Sequence, residues 1–301
     1  MKRSSHTGFS GGFRAAALLR RHSRLVAVAV ILASISVLLY PFASNFVFEH
    51  QADSIISTYE QDLSEQSTPE LEAMLEQAQR YNDALGADHV QLIDPFTSES
   101  LTGISEDYAS LLSTSDTEVM AYIEIPKIGV YLPIYHGTDA STLEKGVGHL
   151  EGSSLPIGGK DTHSVLSAHT GLNSAKLFTD LTELEQNDLF FVHVLGQTLA
   201  YQVDHIRVVE PYDTSALMLE PGRDLVTLLT CTPCGVNTHR LLVRGTRVEY
   251  TPEAVQRAKA EKETTGSSQW MREYVRAMLA GINLVLALAI GSTLWNKRRR
   301  K

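Results

Sequence analysis

A cysteine, a histidine and an arginine are the residues of this 301-residue chain best suited to covalent chemistry. Cys231 follows the apolar run Leu225–Leu229, which would deliver its side chain to the rim of a barrel as a strand. A thiol becomes a good nucleophile only with a lowered pKa or a nearby base. His169 follows the strand-like Val165–Ala168, and Arg240 starts the next strand nine residues after the thiol. These residues predict a nucleophile accompanied by a base and a cation.

Other readings of the thiol stay open. A cysteine on an apolar strand is often an inert core residue. Cys231 and Cys234 are the only two cysteines and form Cys-Thr-Pro-Cys, a spacing shared with thiol oxidoreductases, but the flanks here are strand and loop rather than a helix start. A reversible disulfide between Cys231 and Cys234 that silences the nucleophile is a further hypothesis.

The remaining histidines of the central region are weaker candidates. His136 and His149 are interpreted as structural or solvated imidazoles, although His136 could line a groove. His239 precedes Arg240, so strand alternation turns it to the opposite face from that residue. The sequence around His163 and His205 indicates no functional role for either residue.

Strands must position the three candidate residues. From residue 121 to about 249, six or more β-branched or alternating segments are separated by Gly, Pro, Asn and Asp. So many strands with few helices between them predict a barrel or a sandwich.

The segment before the strands has a different pattern. Apolar residues three or four apart predict two helices between residues 50 and 90, and Ser67-Thr68-Pro69-Glu70 predicts a helix start. Residues 91–118 predict an irregular loop, and a loop that carries Asp94-Pro95-Phe96 is expected to dock on the domain.

Two apolar runs predict membrane-spanning helices at residues 25–48 and 277–296. Six Lys or Arg lie in residues 1–24 and five in residues 297–301, so both termini are expected in the cytoplasm and the domain between them outside the cell. The alternatives are a cleaved signal peptide for the first run and a buried core helix for the second.

The charge balance argues against a nucleic-acid partner. The net charge is −9, from 26 basic and 35 acidic residues. Removing the eleven basic residues of the termini leaves 15 basic against 35 acidic residues, a net charge of −20. Phosphate binding needs clustered Lys and Arg, whereas an acidic surface suits a basic or neutral peptide.

Several short motifs carry a resemblance to a known family. Thr227-Leu228-Leu229-Thr230-Cys231 resembles the TLxTC signature of sortases, and the sequence around it continues as in class C, the pilin-polymerising branch. Asp94-Pro95-Phe96 is similar to the lid motif of class C, whereas Cys234 departs from the family, which usually has an aromatic there. The other matching segments are Ile125–Ile128, Leu132–Thr138, Leu166–Leu172 and Gly235–Leu241.

The resemblance implies roles for five residues. Cys231 is the expected nucleophile, His169 the general acid and base, and Arg240 the residue that positions the substrate and stabilises the oxyanion, a task that suits a permanently charged guanidinium. Asp94 and Phe96 are expected to close the groove, with Asp94 paired to Arg240 and Phe96 over Cys231. No cofactor and no metal are implied.

The implied fold is mainly β, a sortase-like eight-stranded β-barrel with short helices, preceded by N-terminal helices and flanked by two transmembrane helices. The expected partners are the membrane and pilin subunits with an LPxTG-type sorting signal and an acceptor Lys. Attachment to a peptidoglycan precursor, proteolysis and non-enzymatic peptide binding by a β-barrel remain alternatives. The expected divisions are 1–24 cytoplasmic, 25–48 membrane, 49–90 helical, 91–118 lid, 119–252 barrel, 253–276 spacer, 277–296 membrane and 297–301 cytoplasmic.

Overall fold

The computed structural model describes residues 11–87, 92–96, 105–114, 118–172 and 174–253, with further residues of the C-terminal segment up to position 283. Two long helices come first: α1, Gly11–Glu65, and α2, Thr68–Ala87. A short helix α3, Glu106–Ala109, and a second one, α4, Ala140–Lys145, follow.

Helix α1 continues without a break through the expected boundary at residue 49. The first of the two helices predicted between residues 50 and 90 is therefore the extension of the predicted membrane helix, because residues 42–65 contain neither Gly nor Pro. The start of α2 matches the sequence prediction: the Glu70 carboxylate accepts hydrogen bonds from the backbone N–H and the hydroxyl of Ser67, at 2.8 and 2.7 Å.

The C-terminal part of α1, from residue 52 onwards, packs against the β-structure. Ala52, Ile56, Tyr59 and Leu63 recur every three or four residues and are buried. The Tyr59 hydroxyl donates to the carbonyl of Met120 at 3.0 Å and accepts from the N–H of Leu195 at 3.2 Å. The helix and the barrel are thus joined by both apolar and polar contacts.

The apolar part of α1 that begins at Leu32 is exposed. A window of the segment Leu32–Glu65 has a mean hydropathy of 1.3 and is not buried, so by length and composition it qualifies as a membrane span. This agrees with the span predicted at residues 25–48. Most of the second predicted span, 277–296, lies outside the described residues, although residues 278–283 are helical.

Eight strands form a closed barrel, which confirms the predicted fold. Their order around the barrel is β1-β2-β3-β4-β7-β8-β6-β5, with parallel pairing at β2–β3 and β4–β7. The strands are β1 Val119–Ile125, β2 Val130–His136, β3 Val147–His149, β4 Thr162–Ser167, β5 Leu189–Val194, β6 Gln197–Val209, β7 Asp224–Thr232 and β8 His239–Val248.

The segment predicted as an irregular loop, 91–118, contains helix α3. Ser105 caps this helix by accepting a hydrogen bond from the N–H of Tyr108. The buried Tyr108 side chain bonds to Nδ1 of His149 at 2.7 Å and accepts from the N–H of Gly137 at 3.2 Å. The end of this segment is therefore anchored on β3 and the end of β2.

Candidate active site

Strands β7 and β8 place Cys231 directly opposite Arg240. The two residues are register partners in the antiparallel β7–β8 pair, so their side chains leave the same face of the sheet. Both are nearly buried, with exposed fractions of 7% for Cys231 and 6% for Arg240. The hairpin loop between the strands thus sets a cation beside the thiol.

Strand β4 brings His169 to the same end of the barrel. β4 runs parallel to β7, and Ser167 is the register partner of Leu229, so both strands carry the next residues to one edge. The Ala168 N–H donates to the Leu229 carbonyl at 3.2 Å, and the Thr230 hydroxyl donates to the Ala168 carbonyl at 2.7 Å. His169 follows directly, at the edge where Cys231 lies one residue before the end of β7.

Asp94 forms a buried ion pair with Arg240 at the candidate site. Nε of Arg240 donates to Oδ1 of Asp94 at 2.8 Å, and Nη2 donates to Oδ2 at 2.6 Å. Nη1 also donates to the carbonyls of Asn237 and His239, at 3.1 Å each. The guanidinium is thus held in one orientation by the strand and by the lid together.

The Phe96 ring lies beside both His169 and Arg240. Its ring centroid is 5.6 Å from that of His169, and the Arg240 guanidinium carbon is 5.3 Å from it. The sequence predicts Phe96 over Cys231, and the ring contacts found here are with His169 and Arg240. Phe96 therefore covers the side of the site that faces the imidazole.

An apolar surface beneath the lid is a feature that the sequence analysis missed. Leu92 is 6% exposed and packs into a cluster on the outside of the barrel, which Phe96 also joins. The cluster comes from residues far apart in the chain, so no local pattern could have revealed it. The other buried members are Leu150, Val165, Leu217, Leu229 and Leu242.

Burial favours the neutral forms of the thiol and the imidazole. Burial raises the pKa of Cys231 to about 11; the Arg240 charge lowers that pKa and the Asp94 charge raises it. Burial also lowers the pKa of His169, an effect that Glu144 opposes. A thiolate and imidazolium pair is therefore disfavoured in this arrangement.

Cys234 lies in the turn after β7, and both cysteines are free thiols. A Cβ atom added to Gly171 would come within 2.8 Å of the Cys234 sulfur, and Gly171 has a φ of +73°, which only glycine adopts easily. Cys234 thus contacts the loop that follows His169.

The other histidines lie in structural surroundings. His136 Nε2 bonds to the Leu111 carbonyl at 2.6 Å and His149 is completely buried, so both fix the segment that carries α3. His163 is bonded to Met218 and Thr227. His239 lies 3.3 Å from Glu210. In the part of the chain that the structure describes, no group of three or more His, Cys, Asp or Glu side chains has the geometry of a metal site.

Comparisons with known proteins agree with this geometry. Residues 123–248 match the family described as Sortase domain. Sortase C-1 from Streptococcus pneumoniae is 44% identical with a TM-score of 0.61, over 67% of this chain and all of that chain. Sortase C-1 from Actinomyces oris is 49% identical with a TM-score of 0.56, over 60% of this chain and 99% of that chain.

Further similarity extends to another solved structure and to a curated sequence. Sortase C1 of pilus island 1 from group B Streptococcus (GBS) is 40% identical with a TM-score of 0.61, over 67% of this chain and 94% of that one. Sortase D from Bacillus subtilis is 35% identical over 129 residues, which are 42% of this chain and 62% of that protein. This chain thus spans less than two thirds of the length of that curated relative.

Proposed function

This chain belongs to the sortase family, and we propose on that premise that it is a membrane-anchored cysteine transpeptidase that joins pilin subunits covalently. The observation that carries the proposal is the cross-strand pair of Cys231 and Arg240, with His169 delivered to the same barrel edge. Nucleophile, base and cation are the groups that acyl transfer through a thioester requires.

In the first step, the Cys231 sulfur attacks the Thr carbonyl carbon of an LPxTG-type sorting signal. The thiol proton passes to His169, and the developing oxyanion is stabilised by the Arg240 guanidinium. The bond between Thr and Gly then breaks, and the leaving Gly amine takes the proton from His169. A thioester between Cys231 and the first pilin remains.

In the second step, the Lys amine of another pilin subunit attacks the thioester carbon. His169 accepts the proton that this amine loses and passes it to the departing sulfur as the carbon–sulfur bond breaks, which returns Cys231 to the thiol. The product is an isopeptide bond between two subunits. Repetition of the two steps lengthens a covalent fibre.

The pilin assignment rests on similarity and on the lid. The matched structures include sortase C1 of a GBS pilus island and a pilus-related sortase C of group B Streptococcus. The bidentate contact of Asp94 with Arg240 engages the donor that the oxyanion needs. We therefore propose that the closed lid inhibits the enzyme and that an open state is the active one.

Anchoring in the membrane should favour the reaction by raising the effective concentration of substrate at the site. Helix α1 carries the exposed apolar segment, and basic residues precede it, which favours a cytoplasmic N-terminus and an extracellular barrel. Substrates tethered to the same membrane meet the site at a raised effective concentration. A second span at residues 277–296 would place the C-terminus in the cytoplasm as well.

Mass spectrometry of the full chain in detergent tests the proposal. An Asp94→Ala variant is incubated with an LPxTG peptide, with and without a pilin subunit that exposes an acceptor Lys. We expect a thioester on Cys231 that the pilin resolves. A thioester resolved only by peptidoglycan-precursor amines would indicate a wall-anchoring sortase, hydrolysis despite abundant amine would indicate a protease, and the absence of any adduct would indicate a peptide-binding barrel.

A further inference from the structure

The segment that follows His169 is tied together by its own hydrogen bonds. The Phe178 N–H donates to the His169 carbonyl at 3.1 Å, and the Gly171 N–H donates to the Thr179 hydroxyl at 3.0 Å. That hydroxyl in turn donates to the Lys176 carbonyl at 2.5 Å. The backbone around Lys176 and the backbone of His169 are therefore linked by a continuous set of hydrogen bonds.

Helix α1 holds this segment at Lys176. Oδ1 of Asn45 accepts a hydrogen bond from the Lys176 N–H at 2.8 Å, across 131 positions of sequence. Nδ2 of Asn45 donates to Oε1 of Glu49 at 2.9 Å, so the amide has a defined orientation. Asn45 lies near the outer end of the apolar part of α1, where the helix meets the barrel.

The Lys176 side chain secures the same point from the barrel side. Its Nζ lies 2.7 Å from the buried carboxylate of Asp180 and donates to the Ile128 carbonyl at 2.5 Å. The Lys176 backbone is thus fixed between the hairpin of β1 and β2 and helix α1. A shift of either partner is passed on towards His169.

The C-terminal segment makes a second contact with the same region. Nη2 of Arg272 lies 3.2 Å from Oε1 of Glu183, at the end of the short 3₁₀ helix Thr179–Glu183. The rings of Phe42 in α1 and Tyr274 are 4.9 Å apart and nearly perpendicular. The first predicted membrane span thus contacts the segment that precedes the second, and that segment also reaches the 3₁₀ helix that follows Lys176.

We propose that Asn45 is a positioning residue for His169, so that the membrane helix forms part of the scaffold of the active site rather than a tether alone. The inference rests on the proposed function, because it takes His169 as the general acid and base. The anchor acts through the Lys176 backbone amide, and Asn45 itself does not contact the substrate. A protein cut after residue 48 would lose this anchor.

The test uses the full chain in detergent or nanodiscs. Hydrogen exchange is measured for the amides of residues 170–178, and kcat and KM are measured with an LPxTG peptide in the Asp94→Ala background. For Asn45→Ala we expect roughly fivefold faster exchange in this segment, the size expected for the loss of one hydrogen bond. We also expect kcat to fall roughly tenfold with KM unchanged, because a shift of this loop moves the general base His169 and leaves the substrate-binding groove in place.

A conservative variant separates positioning from general damage. Asn45→Asp keeps an acceptor oxygen for the Lys176 N–H, and Glu49→Gln is added because carboxylates four residues apart on a helix repel. This double variant should restore kcat to within about twofold of the parent protein. Val47→Ala, at a neighbouring exposed position of α1, and Glu49→Gln alone serve as controls with parental exchange and kcat.

The outcomes distinguish the inference from the proposed function. Unchanged exchange in Asn45→Ala, or a kcat that the Asp variant does not restore, overturns the positioning role even if the enzyme polymerises pilin. Faster exchange in a protein whose parent forms no thioester supports the anchor and overturns the transpeptidase assignment instead.

Discussion

The carboxylate of Asp94 and the guanidinium of Arg240 form a buried bidentate pair, with N–O distances of 2.8 and 2.6 Å, although 146 positions separate them in the chain. Arg240 is also the cation beside Cys231. In the proposed mechanism these nitrogens also bind the oxyanion, and they cannot bind Asp94 and an oxyanion at full strength together, so the proposed lid closure and catalysis compete for one side chain.

Loss of the Asp94 carboxylate should make Cys231 more reactive. The Asp94 charge raises the pKa of the thiol and the Arg240 charge lowers it, so Asp94→Ala shifts this pKa downward and frees the lid. Each unit of decrease raises the thiolate fraction about tenfold at a pH below the pKa. We expect alkylation of Cys231 by iodoacetamide at pH 8 to accelerate about tenfold or more. Asp107→Ala, at an exposed position of α3, is the control.

The aromatic ring of the lid should act separately from its charge. Phe96→Ala removes the contacts with His169 and Arg240, so alkylation of Cys231 should accelerate several-fold. Phe96→Trp keeps a ring at the same position and should remain slow. Equal alkylation rates in parent, Ala and Trp variants would show that the ring does not protect the site.

Arg240→Lys should separate thiol access from turnover. Lys keeps the positive charge but cannot form the bidentate contact with Asp94, so the lid loosens and alkylation speeds up. The oxyanion loses its oriented donor, and kcat should fall roughly 10²-fold. Arg244→Lys is the matched control, since Arg244 pairs with Asp204 and Glu220 away from Cys231. Parallel changes in both rates would contradict this separation.

Cys231→Ala should abolish thioester formation and pilin joining while the fold is retained. The side chain is small, so the loss of packing is modest, whereas removal of a nucleophile typically lowers kcat by roughly 10⁴-fold or more. Circular dichroism and the thermal midpoint check the fold, and intact-mass spectra check the adduct. Cys234→Ala should retain the thioester. Any pilin polymerisation by Cys231→Ala would show that Cys231 is not the nucleophile.

Acid should destabilise the contact between helix α3 and the barrel. Burial lowers the pKa of His149 to about 4 from an ordinary value near 6.5, so the unfolded chain binds one more proton between these values. The stability that the neutral imidazole contributes is complete above pH 6.5 and is lost as the pH falls towards 4. This single group contributes a slope of about 1.4 kcal/mol per pH unit.

His149→Gln tests this dependence. The variant should be less stable at pH 7, because it loses the hydrogen bond to Tyr108, but its stability should change less between pH 6.5 and 4. Denaturant titrations at several pH values measure both effects. His50→Gln, at an exposed position of α1, should keep the parental slope. If His149→Gln kept the parental slope of stability against pH, another group would be the cause of the acid sensitivity.

The sequence by itself determined the local features of this protein. The alternating strand segments predict a barrel or a sandwich, the Ser67–Glu70 pattern predicts the start of α2, and a charge-free apolar run predicts the membrane helix. The spacing of Cys231 and Arg240 across a short loop predicts their adjacency, because a hairpin fixes its own register. Each of these signals depends on residues within a few turns of helix or one hairpin.

Only the tertiary structure decided the contacts between distant segments. The docking of Leu92 on the barrel and the bond of Asn45 to Lys176 have no local signal. They arise because closure of the barrel fixes the position of every strand end, and the helices then pack on whatever surface results. Burial, which sets the pKa values of Cys231 and His169, likewise exists only once the lid and barrel are assembled.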